Sequence, residues 1–330
     1  METKQFGNTD LYVSVIGFGA WGIGGPAMAG KTPIGWGEVD DNVSIKALEK
    51  AYANGINFYD TADFYGLGHS EELIGKSISR YRDAIIATKV GHRLNKDGSI
   101  ALDYSKKHIL NACEESLKRL NRDYIDIYQL HSAKLQHIEN GECIEAMEKL
   151  QDDGKIRYYG ISLNTFNPEP EAEFFLDKSI GHSFQVVLNV INQRALPVIR
   201  KAARHGYGII ARMPLQFGVL TGKIAAGTTF PENDHRSNRL PPALLDKMLH
   251  ALEDLWKLEK KYSISQTALS LSFCRSVPEV SVTIPGIKTP EQADDNTTGI
   301  IQLDDEDMDY LFTLGKEKYE SITSLMQQQG

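Results

Sequence analysis

The chain has 330 residues, 41% of them hydrophobic, with 36 Lys and Arg against 44 Asp and Glu for a formal net charge of -8. That length supports a sizeable core, and the acidic balance argues against a nucleic-acid or membrane-surface role while leaving room for a local basic pocket. Cys113, Cys143 and Cys274 are scattered and lack CxxC spacing, so neither a disulfide framework nor a zinc site is indicated. With no apolar leader ending in small residues and no apolar run of about 18, a reduced, cytoplasmic chain without a membrane span is expected.

In chain order, residues 4–13 read as a hairpin turning at Gly7-Asn8-Thr9-Asp10. A first apolar strand over 14–18 follows. It runs into Gly17-Phe18-Gly19-Ala20-Trp21-Gly22, which spells a G-x-G-x-x-G dinucleotide fingerprint with Asp40 and Asp41 about 20 residues on. The fingerprint needs a helix to open at its third glycine, and Ile23-Gly24-Gly25-Pro26 is a poor start for one, so a flexible loop is expected there. Further candidate strands are 57–60, 84–88, 124–130, 158–162, 184–188, 208–212 and 280–284. Apolar residues returning every three or four positions mark helices over 43–54, 105–120, 143–152, 197–205 and 265–276. Leu220-Thr221-Gly222-Lys223 lacks the order of a phosphate-binding P-loop. A closing helix over 303–316 precedes a Gln-rich tail expected to fray. Strand-then-helix repetition with nearly continuous apolar strands means parallel strands covered by helices, and eight such units suggest closure into a barrel. Such barrels routinely exceed about 250 residues as one unit, and no linker divides residues 1–330, so one domain is expected.

Four polar residues stand where strands end: Asp60 and Tyr65 in NFYDTADFYG, Lys89 in AIIATKVG and His131 in IDIYQLHS. Singly, each has an ordinary reading: a turn-forming acid, a packing phenol, a solvated amine and a core imidazole. Together at one sheet edge they would move a proton to or from a carbonyl oxygen. Lys89 would lower the pKa of the Tyr65 phenol from its usual value near 10, Asp60 would hold Lys89, and His131 would hydrogen-bond the carbonyl.

These motifs, with FGNTDLYVSVIGFGAWGIGG, SLKRLNRDYIDIYQLHS, GKIRYYGIS, PLQFGVLTGK and IPGIKTPEQADDN, resemble the aldo-keto reductases over nearly the whole chain. The resemblance implies a TIM (β/α)8 barrel whose bottom the N-terminal hairpin caps, NAD(P)H-dependent carbonyl reduction, and a catalytic tetrad on Asp60, Tyr65, Lys89 and His131 with Tyr65 as proton donor. It places Gly19, Ala20 and Trp21 near the cofactor, and Ser162, Asn164 and Gln185 around the nicotinamide carboxamide. Leu163 interrupts the family's Ser-Asn pair.

At the far end, Thr289 caps a helix that Pro290 opens, beside Gly286 and Lys288, in a barrel region suited to phosphate. The resemblance puts Lys288, Thr289 and Gln292 on the adenosine 2′-phosphate, and Asp295 and Asn296 at the adenine. Pro214, Leu215, Gly218, Leu220, Gly222 and Lys223 match the family's loop over the pyrophosphate. Where the family commonly stacks an aromatic on the nicotinamide, the run Ala211-Arg212-Met213-Pro214-Leu215 supplies Arg212. It is expected to stack there or reach the cofactor phosphates, the alternative being a structural ion pair. The cation at Lys288 favours NADPH over NADH.

The expected activity is therefore NADPH-dependent reduction of an aldehyde or ketone. A polyol or inositol-type dehydrogenase and an NADPH-binding redox sensor or channel-associated subunit are the alternatives. Loops 23–39, 133–142 and 228–241 and the C-terminal segment are expected to shape the substrate pocket, with Trp21, Phe64 and Trp36 as apolar contacts. The partner is a small carbonyl compound, and homo-oligomerisation is left open.

Overall fold

The computed structural model describes residues 1–330 except Lys31, Asn233 and Gly330. Parallel strands β1 (Phe18–Gly19), β2 (Phe58–Asp60), β3 (Ile85–Val90), β4 (Ile125–His131), β5 (Ile156–Ser162), β6 (Ser183–Val187), β7 (Gly208–Arg212) and β8 (Val282–Ile284) pair in sequential order. The bridges Ile16–Thr283 and Gly19–Gly286 join the first strand to the last, closing the barrel. Around it lie α1 (Asp41–Ala53), α2 (His69–Ser77), α3 (Lys106–Leu120), α4 (Glu142–Asp152), α5 (Glu169–Lys178), α6 (Leu196–Arg204), α7 (Gln266–Ser276) and α8 (Pro290–Asp295). The fold is the TIM barrel expected from the sequence.

Local chemistry explains the helix ends. Asp40 accepts from the N–H groups of Asn42 at 2.8 Å and Val43 at 3.1 Å, so it caps α1. In α3, Ile109, Cys113, Leu117 and Leu120 form the buried stripe; Ser105 caps its start, and Asn121 ends it at φ 51°.

Inside the barrel, strand alternation sorts the residues into layers. Thr3–Gln5 and Tyr12–Ser14 form the N-terminal hairpin, whose Phe6, Leu11 and Val13 pack on Phe58, Ile85, Ala87, Ile127, Ile210 and Val282. The bottom of the cylinder is thus apolar and plugged. At the other end, Asp60, Lys89 and Gln129 lie among the barrel's buried polar residues.

Three expectations change. The first strand divides: Tyr12–Ser14 belongs to the hairpin and Phe18–Gly19 to the barrel. The glycine-rich stretch is a 3₁₀ turn, Ala20–Gly24, rather than an irregular loop. The Gln-rich tail does not fray, because Glu320–Gln328 is helical and buries Ile322, Thr323 and Met326. No helix among the described residues is long and apolar enough to cross a membrane.

Candidate active site

Asp60 ends β2, Lys89 lies in β3 and His131 ends β4, while Tyr65 opens the turn after β2. That turn runs through Gly66 at φ 61°, and a Cβ there would lie 2.0 Å from the carbonyl oxygen of Gly24. Only glycine permits this contact between the β1 and β2 loops, which presents the phenol to the barrel mouth.

The four side chains meet. The Lys89 ammonium donates to Asp60 Oδ2 at 2.7 Å, to the Thr61 carbonyl at 2.7 Å and to the Tyr65 hydroxyl at 3.2 Å. All three of its N–H groups are engaged, and the Lys89–Asp60 pair is shut off from solvent at 0% and 3% side-chain exposure. Gln185 donates to Asp60 Oδ1 at 2.6 Å, completing a satisfied buried ion pair. An ammonium has no acceptor, so the Tyr65 oxygen accepts from Lys89 and the phenolic hydrogen is free to be donated elsewhere. The His131 ring lies 5.8 Å from the Tyr65 ring at 84°.

Burial raises the Tyr65 phenol above its ordinary value; Lys89 pulls it down without reversing that. This corrects the expectation of a net downward shift, since desolvating the phenolate outweighs the neighbouring cation. Tyr65 is therefore held as a protonated acid. Burial alone would lower Lys89, but Asp60 and Tyr65 more than offset it and keep the ammonium charged. His131 is pushed well below its usual value by burial, with His92, Lys89 and Arg212 adding to the effect, so its imidazole is neutral.

These histidines have a consequence for stability. His92, pushed down to about 4 by burial, and His131 both stay neutral when folded but charge near 6.5 when unfolded. Below pH 6.5 the unfolded chain binds protons that the folded chain refuses, so stability present above that pH is lost as pH falls. Each histidine is expected to remove up to about 2 kcal/mol between pH 6.5 and 5. Denaturant unfolding across that range checks this, and a flat profile would refute it.

The tetrad opens into a cleft of about 1070 Å³. Asp60, Tyr65 and His131 line it, as do Gly19, Ala20, Trp21, Ser162, Asn164, Gln185, Arg212, Pro214, Leu215, Gly218, Lys223, Gly286, Lys288, Thr289, Gln292, Asp295 and Asn296. Lys89 stands behind Tyr65, and Leu220 is buried in the core, away from the cleft. Several of these side chains already have partners. Asn164 accepts from the N–H groups of Phe166 and Asn167, Lys223 pairs with Asp295 at 2.7 Å, and Asn296 donates to the Gly286 carbonyl. Lys288 donates to the Trp36 carbonyl at 3.1 Å, and its backbone N–H donates to Gln292. The Arg212 guanidinium donates to the Leu163 carbonyl at 3.1 Å and to Thr165 at 3.3 Å. Among the described residues it forms no salt bridge and its Nε has no partner, so a structural ion pair is not what holds it.

Trp21, Phe64 and Trp36 line the cleft as expected, whereas residues 133–142 do not reach it and Met326 of the C-terminal helix does. Lys31 and Asn233, within two of the expected pocket loops, lie outside the described residues. The expected loop 228–241 does reach the cleft, through Phe230, Arg236 and Arg239 among others, although none of these was singled out, whereas His92 and Phe217 were missed altogether. Phe230, Arg236 and Arg239 arrive on a long segment that carries no motif, which meets Trp36 through the Trp36–Asp234 bridge. Arg236 grips Asp234 at 2.6 Å and lies over the Trp36 and Phe230 rings. A signal for His92 was present, since it lies three residues beyond Lys89.

Comparison with known proteins places the fold in a family. The model of the Aldo/keto reductase family matches residues 15–315. The uncharacterized oxidoreductase YqkF of Bacillus subtilis is 32% identical over 306 residues, covering 90% of each chain. The aldo-keto reductase YhdN of the same organism is 33% identical, covering 88% of this chain and 86% of its own. A glycerol dehydrogenase structure from Gluconobacter oxydans superposes with a TM-score of 0.78 at 29% identity and 94% coverage of both chains. With a barrel closed in this order and a family match across nearly its full length, the chain belongs to the aldo/keto reductase family of oxidoreductases.

Proposed function

We propose that the chain, acting as one barrel domain, reduces aldehydes or ketones to alcohols with NADPH. The observation that carries this is the donor pattern at Tyr65: Lys89 donates to its oxygen, leaving the phenolic proton available at the cleft. When bound, a dihydronicotinamide supplies a hydride to the carbonyl carbon and is itself oxidised. Tyr65 donates its proton to the carbonyl oxygen, and Lys89 stabilises the phenolate left behind. Neutral His131 hydrogen-bonds the same oxygen and orients the carbonyl. Run backward, the same groups oxidise an alcohol, the reading favoured if the likeness to a glycerol dehydrogenase extends to substrate.

The cleft fits such a cofactor. Gly286 faces open space where a Cβ would stand, and Lys288, Arg236 and Arg239 gather where a phosphate would need cations. Among the described residues, neither Lys288 nor Arg239 has a carboxylate within salt-bridge reach, which supports NADPH over NADH. Arg212 would stack on the nicotinamide or reach the phosphates, and a cation there disfavours the oxidised, positively charged ring.

Assays of a carbonyl panel with NADPH and NADH test the function. Turnover with NADPH preferred is expected; tight NADPH binding without turnover of any carbonyl would support the sensor or channel-subunit reading instead. Lys288→Ala is expected to weaken NADPH binding at least tenfold, about 1.4 kcal/mol, with little effect on NADH. Arg212→Ala should tighten NADP⁺ relative to NADPH, and unchanged affinity for both would remove its proposed role.

A further inference from the structure

An imidazole at a reaction centre is ordinarily aimed by a hydrogen bond to its second nitrogen. Among the described residues, Nδ1 of His131 is buried with no partner, and its ring meets Tyr65 and His92 edge-on, at 84° and 72°. Ring contacts of that kind locate an imidazole without choosing where its nitrogens point. The direction of His131 must come from its backbone.

That backbone is clamped. The peptide unit joining His131 to Ser132 is pinned at both of its polar atoms: its carbonyl accepts from the Tyr104 hydroxyl at 2.6 Å, and its N–H donates to the Ser162 carbonyl at 3.1 Å. Ser132 follows at φ 61°, a left-handed conformation that is costly for a non-glycine residue and persists only where the surroundings over-determine it. The Ser162 bond continues the pairing of β4 with β5, in which His131 stands opposite Ser162. The Tyr104 bond has no such origin, since Tyr104 arrives on the short segment between the strand Ile100–Leu102 and α3.

Tyr104 is itself fixed in place. Its ring closes on Gly91, where a Cβ would lie 2.1 Å away, and the N–H of Asp103 donates to the Gly91 carbonyl at 2.9 Å. Gly91 stands just past the end of β3, two residues beyond Lys89. One side chain therefore ties the exit of the strand that carries Lys89 to the exit of the strand that carries His131. Tyr104 is 6% exposed and does not line the cleft, and burial raises its phenol above the ordinary value, so it stays a donor.

We propose that Tyr104 is a positioning residue for the reduction: by holding the His131 carbonyl against the end of β3, it aims the imidazole at the oxygen that Tyr65 protonates. This rests on the reading of His131 as a hydrogen-bond donor to that oxygen. In place of a group that grips the imidazole, this chain grips the peptide behind it. Without the hydroxyl, one of the two pins is gone, and the strained turn at Ser132 is free to relax and swing the ring off its target.

The test is a double-mutant cycle of Tyr104→Phe and His131→Ala, read as kcat and KM with NADPH and the carbonyl of the panel that turns over fastest. Tyr104→Phe keeps the ring against Gly91 and is expected to lower kcat about tenfold, the scale of one lost hydrogen bond, with NADPH affinity changed by less than about twofold. In the His131→Ala background the same substitution should lower kcat by no more than about twofold, since no imidazole remains to be aimed. An equal fall in both backgrounds would mean that Tyr104 serves only the fold, and it overturns the proposal, as does an unchanged kcat in Tyr104→Phe alone. If Tyr104→Phe does not fold, Tyr104→Met, whose flexible apolar chain fills the space, takes its place in the cycle with the same readings. A His131→Ala variant as active as the wild type overturns the reading of His131 and this inference with it, whereas a wild type that reduces no carbonyl defeats the proposed function.

Discussion

Tyr65→Phe is expected to lower kcat by about 10²–10⁴-fold, or roughly 3–5 kcal/mol, while NADPH affinity changes by no more than about twofold. The substitution removes one oxygen and one proton and keeps the ring, so the stacking with Trp21 at 6.1 Å and 25° persists. Lys89 keeps its bonds to Asp60 and Thr61, so the buried ion pair survives. The loss therefore falls on proton delivery. Fluorescence titration with NADPH alongside steady-state assay separates the outcomes. Retained turnover would rule out Tyr65 as the acid, and lost cofactor binding would mean that the pocket had collapsed.

Lys89→Met should be costly in a different way. It leaves Asp60, 3% exposed, as a buried carboxylate without its cation. Breaking a buried pair in this manner costs about 3–5 kcal/mol. Turnover should fall with it, because the phenolate formed during reduction loses its stabilising charge. Adding Asp60→Asn removes the stranded charge, so the double variant is expected to recover much of the stability and none of the turnover. Denaturant unfolding of the wild type, single and double variants measures this. A single variant as stable as the wild type would show that Asp60 escapes its penalty by taking up a proton or water.

The contrast between what the residues announced and what they concealed follows from distance along the chain. Asp60, Lys89 and His131 were readable because each ends a short apolar run, and strand alternation brings such ends to one rim. Thr289 and Pro290 declared a helix start for equally local reasons, and the Thr289 hydroxyl accepts from the Gln292 N–H at 3.3 Å. The direction of the Tyr65 shift was not readable, since it depends on how completely distant residues exclude water from the phenol. Arg212 was singled out as a departure, but its partner, the Leu163 carbonyl, lies 49 residues away on another loop. Arg236 and Arg239 sit on loop 228–241, whose place at the pocket was expected, but its pairing of Asp234 with Trp36, nearly 200 residues earlier in the chain, is a contact that no local pattern encodes. The Gln-rich tail misled because composition hid its buried stripe of Ile322, Thr323 and Met326.

The position of Met326 makes the two termini unequal for protein engineering. The final helix contributes a thioether to the wall of the reaction chamber, whereas the first residues fold beneath the cylinder, around the plug led by Phe6. An affinity handle or fluorescent fusion therefore belongs on the amino end, out of reach of the chemistry. The same addition at the carboxyl end, or removal of the last turn, would alter the vestibule through which reactants pass.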